Sequence, residues 1–112
     1  MNTISWNDFK KIEIRVGTIV EAEDFPEAIK PAYKLKVDLG ESLGIKQSSA
    51  QITTLYSKED LIGKQVIGVC NFPEKNIAGV KSQFLVLGAL EEEGKVVLLH
   101  PSQPTNNGLK IA

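Results

Sequence analysis

Few side chains in this 112-residue sequence could carry out covalent or metal chemistry. His100 is the only histidine and Cys70 the only cysteine. Ser48 or Ser49 could act as a nucleophile with His100 as its base, but neither serine has a nucleophile-elbow pattern around it. One histidine and one cysteine, thirty residues apart, do not make a zinc site. We therefore predict a protein that is not an enzyme and uses no metal or cofactor, with His100 at the surface or in a dimer contact.

Two further motifs have simpler interpretations than a reactive site. The acidic run Glu91–Glu93 precedes a glycine and is typical of a solvated hairpin tip rather than a set of metal ligands. The segment Gly40–Gly44 lacks the lysine and the following helix of a phosphate-binding loop. Neither motif therefore indicates catalysis, and binding becomes the favoured class of function.

A polar stretch, Gly44–Ile52, lies between apolar segments that have the pattern of strands. From Lys46 to Ile52 only Ala50 and Ile52 are apolar, whereas a barrel strand should alternate apolar and polar residues. We interpret the stretch as a strand or loop that lies on a barrel and presents short hydrogen-bonding side chains to a partner. The alternative is a polar edge strand.

The elements that must position this stretch are mostly strands. Regular alternation over Tyr33–Leu39 predicts a strand with Lys34 and Lys36 on its outer face. An earlier alternation that begins at Ile12 loses its phase near Gly17, which predicts one long strand with a bulge or sharp bend. Two separate strands with a kink are the alternative. A long, bent first strand that serves both halves is what a small OB-type barrel needs.

Short helical turns and further apolar runs complete the pattern. Ser5 with Asp8, and Ser57 with Asp60, have capping-box spacing and predict two short helices, the first over about 7–11. Apolar runs at 66–70, 84–90 and 96–99 predict strands, and 74–81 is expected to be a loop. We predict an all-β, five-stranded OB-fold barrel with one or two short helices, as a single domain over residues 1–112.

Composition and charge indicate the cellular location of the protein and the charge of its binding face. The net charge is −1, and no apolar run is long enough to span a membrane. The N-terminus lacks a signal-peptide pattern and a single cysteine allows no internal disulfide, so we predict a cytoplasmic protein without membrane insertion. Residues 30–81 hold eight lysines against five acids, which predicts a modest basic face around the polar stretch.

An OB-type barrel holds oligonucleotides or extended chains on one sheet face and the loops around it. The candidate surface combines the polar stretch, the outward lysines of the preceding strand and the segments around a later loop. Phe72 is the one aromatic residue in this set that could stack on a base or hold an apolar side chain; the alternative is a core plug. The predicted ligand-binding residues, for an oligonucleotide or an extended chain, are Lys34, Lys36, Lys46, Gln47, Ser48, Ser49, Gln51, Asn71, Phe72, Lys75, Lys81 and Ser82.

Several segments, in this order, carry a resemblance to the tRNA-binding domain family. The segments are Ile12–Ile19, Tyr33–Gly40, Leu61–Val66, Asn71–Pro73 and Ala78–Ser82. Within that family, the segment Ile45–Thr53 resembles the signature of the CsaA subgroup of secretion-related chaperones. The resemblance covers nearly the whole chain.

The resemblance implies an OB barrel whose N- and C-terminal extensions, about 5–11 and about 100–112, build a homodimer. Trp6, Phe9, Leu109 and Ile111 then become candidate dimer contacts. It also implies binding of unfolded or pre-export polypeptides and of the export machinery, whereas the wider family binds tRNA by its shape. The leading hypothesis is therefore a non-catalytic, secretion-related chaperone, and the alternative is a structure-specific tRNA-binding protein.

Two departures from the tRNA-binding pattern favour the first hypothesis. The loop at 73–77, usually rich in arginine and lysine in this family, holds only Lys75 beside Glu74. The synthetase-type version of the polar stretch has a glycine after its serine, whereas here Ala50 follows Ser48 and Ser49. Fewer phosphate contacts predict weaker tRNA binding with a flatter salt dependence.

Overall fold

The computed structural model describes all 112 residues, and most of its regular structure is β-strand. The elements in chain order are α1 (Trp6–Lys10), β1 (Ile14–Asp24), β2 (Tyr33–Asp38), β3 (Ile45–Ala50), α2 (Lys58–Leu61), β4 (Gln65–Val69), β5 (Lys75–Ile77), β6 (Val80–Ser82), β7 (Leu85–Val86), β8 (Gly88–Leu90), a 3-10 turn (Glu92–Gly94) and β9 (Val96–Leu98). Five strands form an antiparallel sheet in the order β3-β2-β1-β4-β7, and β5–β6 and β8–β9 are separate hairpins. The sheet curls until its two edges nearly meet, which confirms the predicted all-β, five-stranded barrel with two short helices.

The long first strand serves both halves of the barrel, as the sequence predicted. Its first part, Ile14–Thr18, pairs with β4, and its second part, Thr18–Asp24, pairs with β2. The register with β2 shifts between Ile19 and Glu21, so the irregularity is centred on Val20 and not near Gly17 as the phase of the sequence predicted. The bulge lets the strand leave one partner and curl toward the other.

Gly17 has a packing role instead. A Cβ atom at this position would lie 2.5 Å from Val37 Cγ1 and 2.7 Å from Leu39 Cδ2. Both neighbours belong to the buried core, at 0% and 1% exposure. Glycine therefore allows β2 to pack closely over the point where β1 changes partners.

The core fills the barrel with aliphatic side chains, Tyr33 and Phe84, and the half-buried Tyr56 packs against it. Ile19, Val37, Leu61 and Val66 have no exposed surface. The Tyr33 hydroxyl donates to the carbonyl oxygen of Tyr56 at 2.8 Å, and the Tyr56 hydroxyl accepts from the backbone N–H of Leu98 at 3.1 Å. These bonds satisfy the polar tips of large side chains and connect β2 to the β8–β9 hairpin.

Helix α2 begins at the predicted cap, where the Ser57 hydroxyl accepts from the backbone N–H of Asp60. Leu61 anchors the helix in the core, and Gly63 ends the segment with a φ of +88°. Lys58 donates a hydrogen bond to Asp24 at 2.9 Å, and this bond raises the pKa of the lysine. The ion pair joins α2 to the end of β1.

Two segments differ from their predicted structure. The expected loop at 74–81 is the β5–β6 hairpin, whose turn residues Ala78 and Gly79 have φ values of +47° and +87°. Two consecutive positive values are typical of a type I′ turn, which matches the twist of paired strands. The expected strand at 84–90 is divided at Leu87. The N–H of Leu87 donates to the Ile67 carbonyl, whereas the carbonyl of Leu87 accepts from the Leu99 N–H. Leu87 thus links the barrel to the β8–β9 hairpin.

The C-terminal extension pairs with the first half of β1, and the N-terminal extension leads into that strand. The capping box at Ser5 and Asp8 is present, and α1 starts one residue earlier than predicted. In the tail, the N–H of Gly108 bonds to the Val16 carbonyl at 2.7 Å, and the N–H of Ile111 bonds to the Ile14 carbonyl at 2.9 Å. The tail therefore runs along β1 as a short edge segment. No helix in the protein has the length and apolar character needed to cross a bilayer.

Candidate binding surface

Strand β3 divides the polar stretch between two faces. Ser48 lies opposite Leu35 on β2 and is only 1% exposed, so the expectation that it faces a ligand is wrong. A serine is small enough to fit among the aliphatic core residues. Because side chains alternate along a strand, Lys46 shares the face of Ser48, whereas Gln47, Ser49 and Gln51 share the outward face. The candidate surface keeps these three residues and loses the other two.

The outer edge of β3 is partly capped by the segment that follows the β5–β6 hairpin. The backbone N–H of Gln83 donates to the Gln47 carbonyl at 2.8 Å, and the side-chain oxygen of Gln83 accepts from the Gln47 N–H at 3.1 Å. The Ser82 hydroxyl oxygen accepts a hydrogen bond from the Ser49 backbone N–H at 3.5 Å. No hydrogen bond joins the backbone of Gln51 to another residue. The edge of β3 is therefore closed at Gln47, and Gln51, directly after the end of the strand at Ala50, has an unpaired backbone.

An outer groove of about 700 Å³ crosses this outward face. One side of the groove is formed by Ser49 and Gln51, and the other sides are the loop 27–32 and the β5–β6 hairpin. Sequence reasoning found Ser49, Gln51 and Lys75 of this groove. It missed the opposite wall. The signal in the sequence is an apolar residue, Ile29, between Pro26 and Pro31, and the structure shows that its side chain is fully exposed.

An edge groove of about 460 Å³ lies between the end of β3 and strands β7 and β8. Ser49 and Gln51 line both grooves and form the ridge between them. The rest of the edge groove is aliphatic, apart from Gly88: Ala50, Ile52, Leu85, Val86, Leu87, Leu90 and Val96. These residues are distant in sequence, and only closure of the barrel brings them together. Sequence reasoning therefore missed this groove.

The lysines of the surface are largely paired with acids. Lys36 Nζ lies 3.3 Å from the carboxylate of Glu21, and Lys34 Nζ lies 3.7 Å from that of Glu23. Lys81 lies at 4.0 Å from Glu74 on the hairpin. Lys46 and Lys75 have no ion-pair partner. The basic face predicted from residues 30–81 is therefore offset by acids that β1 and the hairpin bring to the same place.

Asn71 and Phe72 do not line either groove. The Asn71 side chain accepts from the Glu13 N–H at 2.9 Å and donates to the Lys11 carbonyl at 2.7 Å. Both polar atoms of Asn71 are thus used in holding the link between α1 and β1, which removes this residue from the candidate surface. Phe72 is 59% exposed and is not a core plug.

The residues considered for chemistry are not brought together. His100 is exposed, with Nδ1 at 2.8 Å from the Pro101 carbonyl oxygen. Cys70 is half-buried and packs against the core. Burial raises the pKa of the Cys70 thiol; the charge of Arg15 lowers it and that of Glu13 raises it. No group of three histidine, cysteine or acidic residues could hold a metal ion.

A nearly closed five-stranded barrel, with a groove between the end of β3, the β1–β2 loop and the β5–β6 hairpin, defines an OB-type binding domain. A family model described as "Putative tRNA binding domain" matches residues 14–110. The chain belongs to this family, which confirms the resemblance seen in the sequence.

Relatives at high similarity include free-standing and synthetase-linked versions of the domain. The chaperone CsaA of Bacillus anthracis is 50% identical, with a TM-score of 0.94 over 99% of this chain and 100% of that one. The CsaA chaperone protein of Picrophilus torridus is 54% identical, with a TM-score of 0.92 over 98% and 100%. The methionine–tRNA ligase of Methanocaldococcus jannaschii is 40% identical over 99% of this chain. The chain spans only 17% of that ligase.

Proposed function

We propose that the protein is a non-catalytic, secretion-related chaperone that holds extended polypeptide in the cytoplasm. Its clients would be unfolded or pre-export chains, and its partners the export machinery. The observation that carries the proposal is the pair of grooves that share Ser49 and Gln51, beside unpaired backbone at the end of β3. The similarity to two CsaA chaperones over nearly the full length of each chain supports it.

The unpaired backbone at Gln51, in line with the end of β3, suits recognition of a polypeptide backbone. An extended polypeptide can add to an exposed strand edge, so that main-chain hydrogen bonds give affinity without a sequence requirement. Apolar side chains of the client would enter the edge groove, between Ile52 and Leu85. Side chains on the other side would lie over the outer groove, whose polar ridge of Ser49 and Gln51 can bond to backbone or side-chain groups.

The charge of the surface also favours polypeptide over a polyanion. Around the outer groove and the adjacent β1–β2 face, the five lysines Lys30, Lys34, Lys36, Lys75 and Lys81 stand beside the four glutamates Glu21, Glu23, Glu27 and Glu74. Affinity for nucleic acid depends mainly on lysines and arginines that neutralise phosphates. A nearly balanced surface provides few of them.

Binding of tRNA is the second candidate function, favoured by the family match over residues 14–110. The outer groove lies next to the β2–β3 face, and is walled by the β1–β2 loop, in the region that OB folds use for oligonucleotides. Lys75 is exposed without an ion-pair partner, and Phe72 presents an exposed ring that could stack on a base. Such binding would be weak, with a shallow salt dependence, because few lysines are available for phosphates.

We further propose that the chain works as a homodimer through its two extensions. Trp6 is 66% exposed, and its ring lies 5.4 Å from that of Phe9. Leu109 is 47% exposed and Ile111 is half-buried in the tail that pairs with β1. Exposed large apolar residues in both extensions, a tryptophan among them, are typical of a protein contact.

Substitutions that place a charge in each groove test the chaperone proposal. Leu85→Asp in the edge groove and Ile29→Asp in the outer groove change exposed residues, so the fold should tolerate them. Ile62→Asp, at an exposed apolar position outside both grooves, is the matched control. Suppression of aggregation of a chemically unfolded reporter protein should fall for the first two and not for the control. Equal activity in all three variants would refute the proposed site.

A further inference from the structure

Two glutamates of β1 face two lysines of β2 across the outer surface of the barrel. In the strand register Glu21 is opposite Lys36 and Glu23 is opposite Lys34. The charged groups lie 3.3 Å and 3.7 Å apart. The pairing is therefore built into the sheet by the register and does not depend on flexible loops.

These ion pairs do little for the fold. The glutamate side chains are 53% and 64% exposed, and the lysine side chains are 50% and 34% exposed. Exposed ion pairs of this kind contribute little to stability, because solvent and salt screen the attraction. A role in choosing ligands accounts better for four charges arranged in register.

The position of the pairs indicates which ligand they act on. Lys34 and Lys36 project from β2 beside Gln47 of β3, on the face where OB folds bind oligonucleotides. Without acidic neighbours they would be two of the few lysines on this face able to contact phosphates. Glu21 and Glu23 form ion pairs with these two lysines, and their negative charges repel a phosphate that approaches the lysines.

We propose that Glu21 and Glu23 are specificity-determining residues that exclude polyanionic ligands from the outer face of the barrel. The inference rests on the proposed function in one respect, since it assumes that this face serves polypeptide. The two ion pairs have no net charge, so they neither attract nor repel an extended polypeptide of mixed charge. A nucleic acid meets two carboxylates and loses two phosphate contacts.

The test removes the two negative charges with little change of shape. The double variant Glu21→Gln/Glu23→Gln is titrated with a purified transfer RNA at several salt concentrations. The control Glu91→Gln/Glu92→Gln makes the same change of net charge at the β8–β9 hairpin tip, where neither glutamate is in an ion pair. The single variant Glu21→Gln, expected to give half the effect, keeps the test usable if the double variant is unstable.

Freeing two lysines should raise RNA affinity about tenfold at low salt and steepen the salt dependence of log K by about 1.5, with the control unchanged. No gain, or an equal gain in the control, would overturn the proposal. Aggregation suppression by the unsubstituted protein is measured in parallel. If the unsubstituted protein suppresses no aggregation, the chaperone function fails, and the RNA titration still decides the role of the glutamates.

Discussion

Gln83 closes the barrel onto Gln47 with two hydrogen bonds, one from its backbone and one to its side chain. Its N–H donates to the Gln47 carbonyl at 2.8 Å, and its Oε1 accepts from the Gln47 N–H at 3.1 Å. Its Nε2 donates to Glu74 at 3.1 Å. A single side chain thus caps the strand edge and connects it to the β5–β6 hairpin that walls the outer groove.

Gln83→Ala should loosen this closure. The backbone bond would remain, but the Gln47 N–H would lose its acceptor and the hairpin its link, at a cost of about 1 kcal/mol. Amide hydrogen exchange at Gln47 should accelerate more than at core positions of β1. Gln103→Ala, in the exposed tail and without side-chain hydrogen bonds, is the control. Unchanged exchange at Gln47 would show that the side chain does not cap the edge.

Gly17→Ala should destabilise the protein through its core. The new methyl group would lie 2.5 Å from Val37 Cγ1 and 2.7 Å from Leu39 Cδ2, closer than packed atoms allow. Overpacking of this kind costs about 1–3 kcal/mol. The free energy of unfolding, measured by denaturant titration, should fall by that amount. A stability equal to that of the unsubstituted protein would mean that β2 moves freely away from β1.

Cys70 should react slowly with thiol reagents at neutral pH. Burial raises the pKa of its thiol, so the folded protein holds less of the reactive thiolate than an unfolded chain. Its modification rate should increase with pH and increase sharply on unfolding. Because the unfolded thiol ionises first, this group also lowers stability as pH rises above the ordinary thiol pKa. Equal rates for folded and unfolded protein at pH 7 would contradict the assigned burial.

Trp6→Ala should shift the protein toward monomer in analytical ultracentrifugation. Truncating an interface aromatic residue often costs about 2 kcal/mol or more of binding free energy. Because Trp6 is 66% exposed, the substitution should leave the unfolding transition of the barrel little changed. Thr3→Ala, at an exposed polar position of the N-terminal extension, is the control. A dimer that persists unchanged in Trp6→Ala would place the interface elsewhere.

The sequence predicts much of the fold because local patterns determine it. Alternation over Tyr33–Leu39 gave β2, and the serines at 5 and 57 gave both helix starts. The position of the bulge at Val20 was missed, because the demand for glycine at 17 comes from close packing of β2 and not from backbone geometry. Such packing depends on residues twenty positions away.

The candidate site was predicted less well, because composition does not reveal which face a residue occupies. Ser48 and Ser49 are equivalent in a list of polar residues, yet one is buried and the other lines both grooves. The lysines of β2 were identified correctly as outward, but their acidic partners come from a strand that only the register brings opposite. Asn71 has a structural role that its sequence neighbours do not indicate.

The central claim is that the surface formed by the outer groove and the edge groove holds polypeptide in preference to RNA. The most direct measurement is fluorescence anisotropy of a labelled, permanently unfolded polypeptide titrated with the protein at about 0.15 M salt, with a transfer RNA as competitor. We expect the polypeptide to bind and the RNA to compete only when the salt is lowered. Binding of the RNA with a Kd below about 1 μM at the same salt, without binding of the polypeptide, would contradict the account.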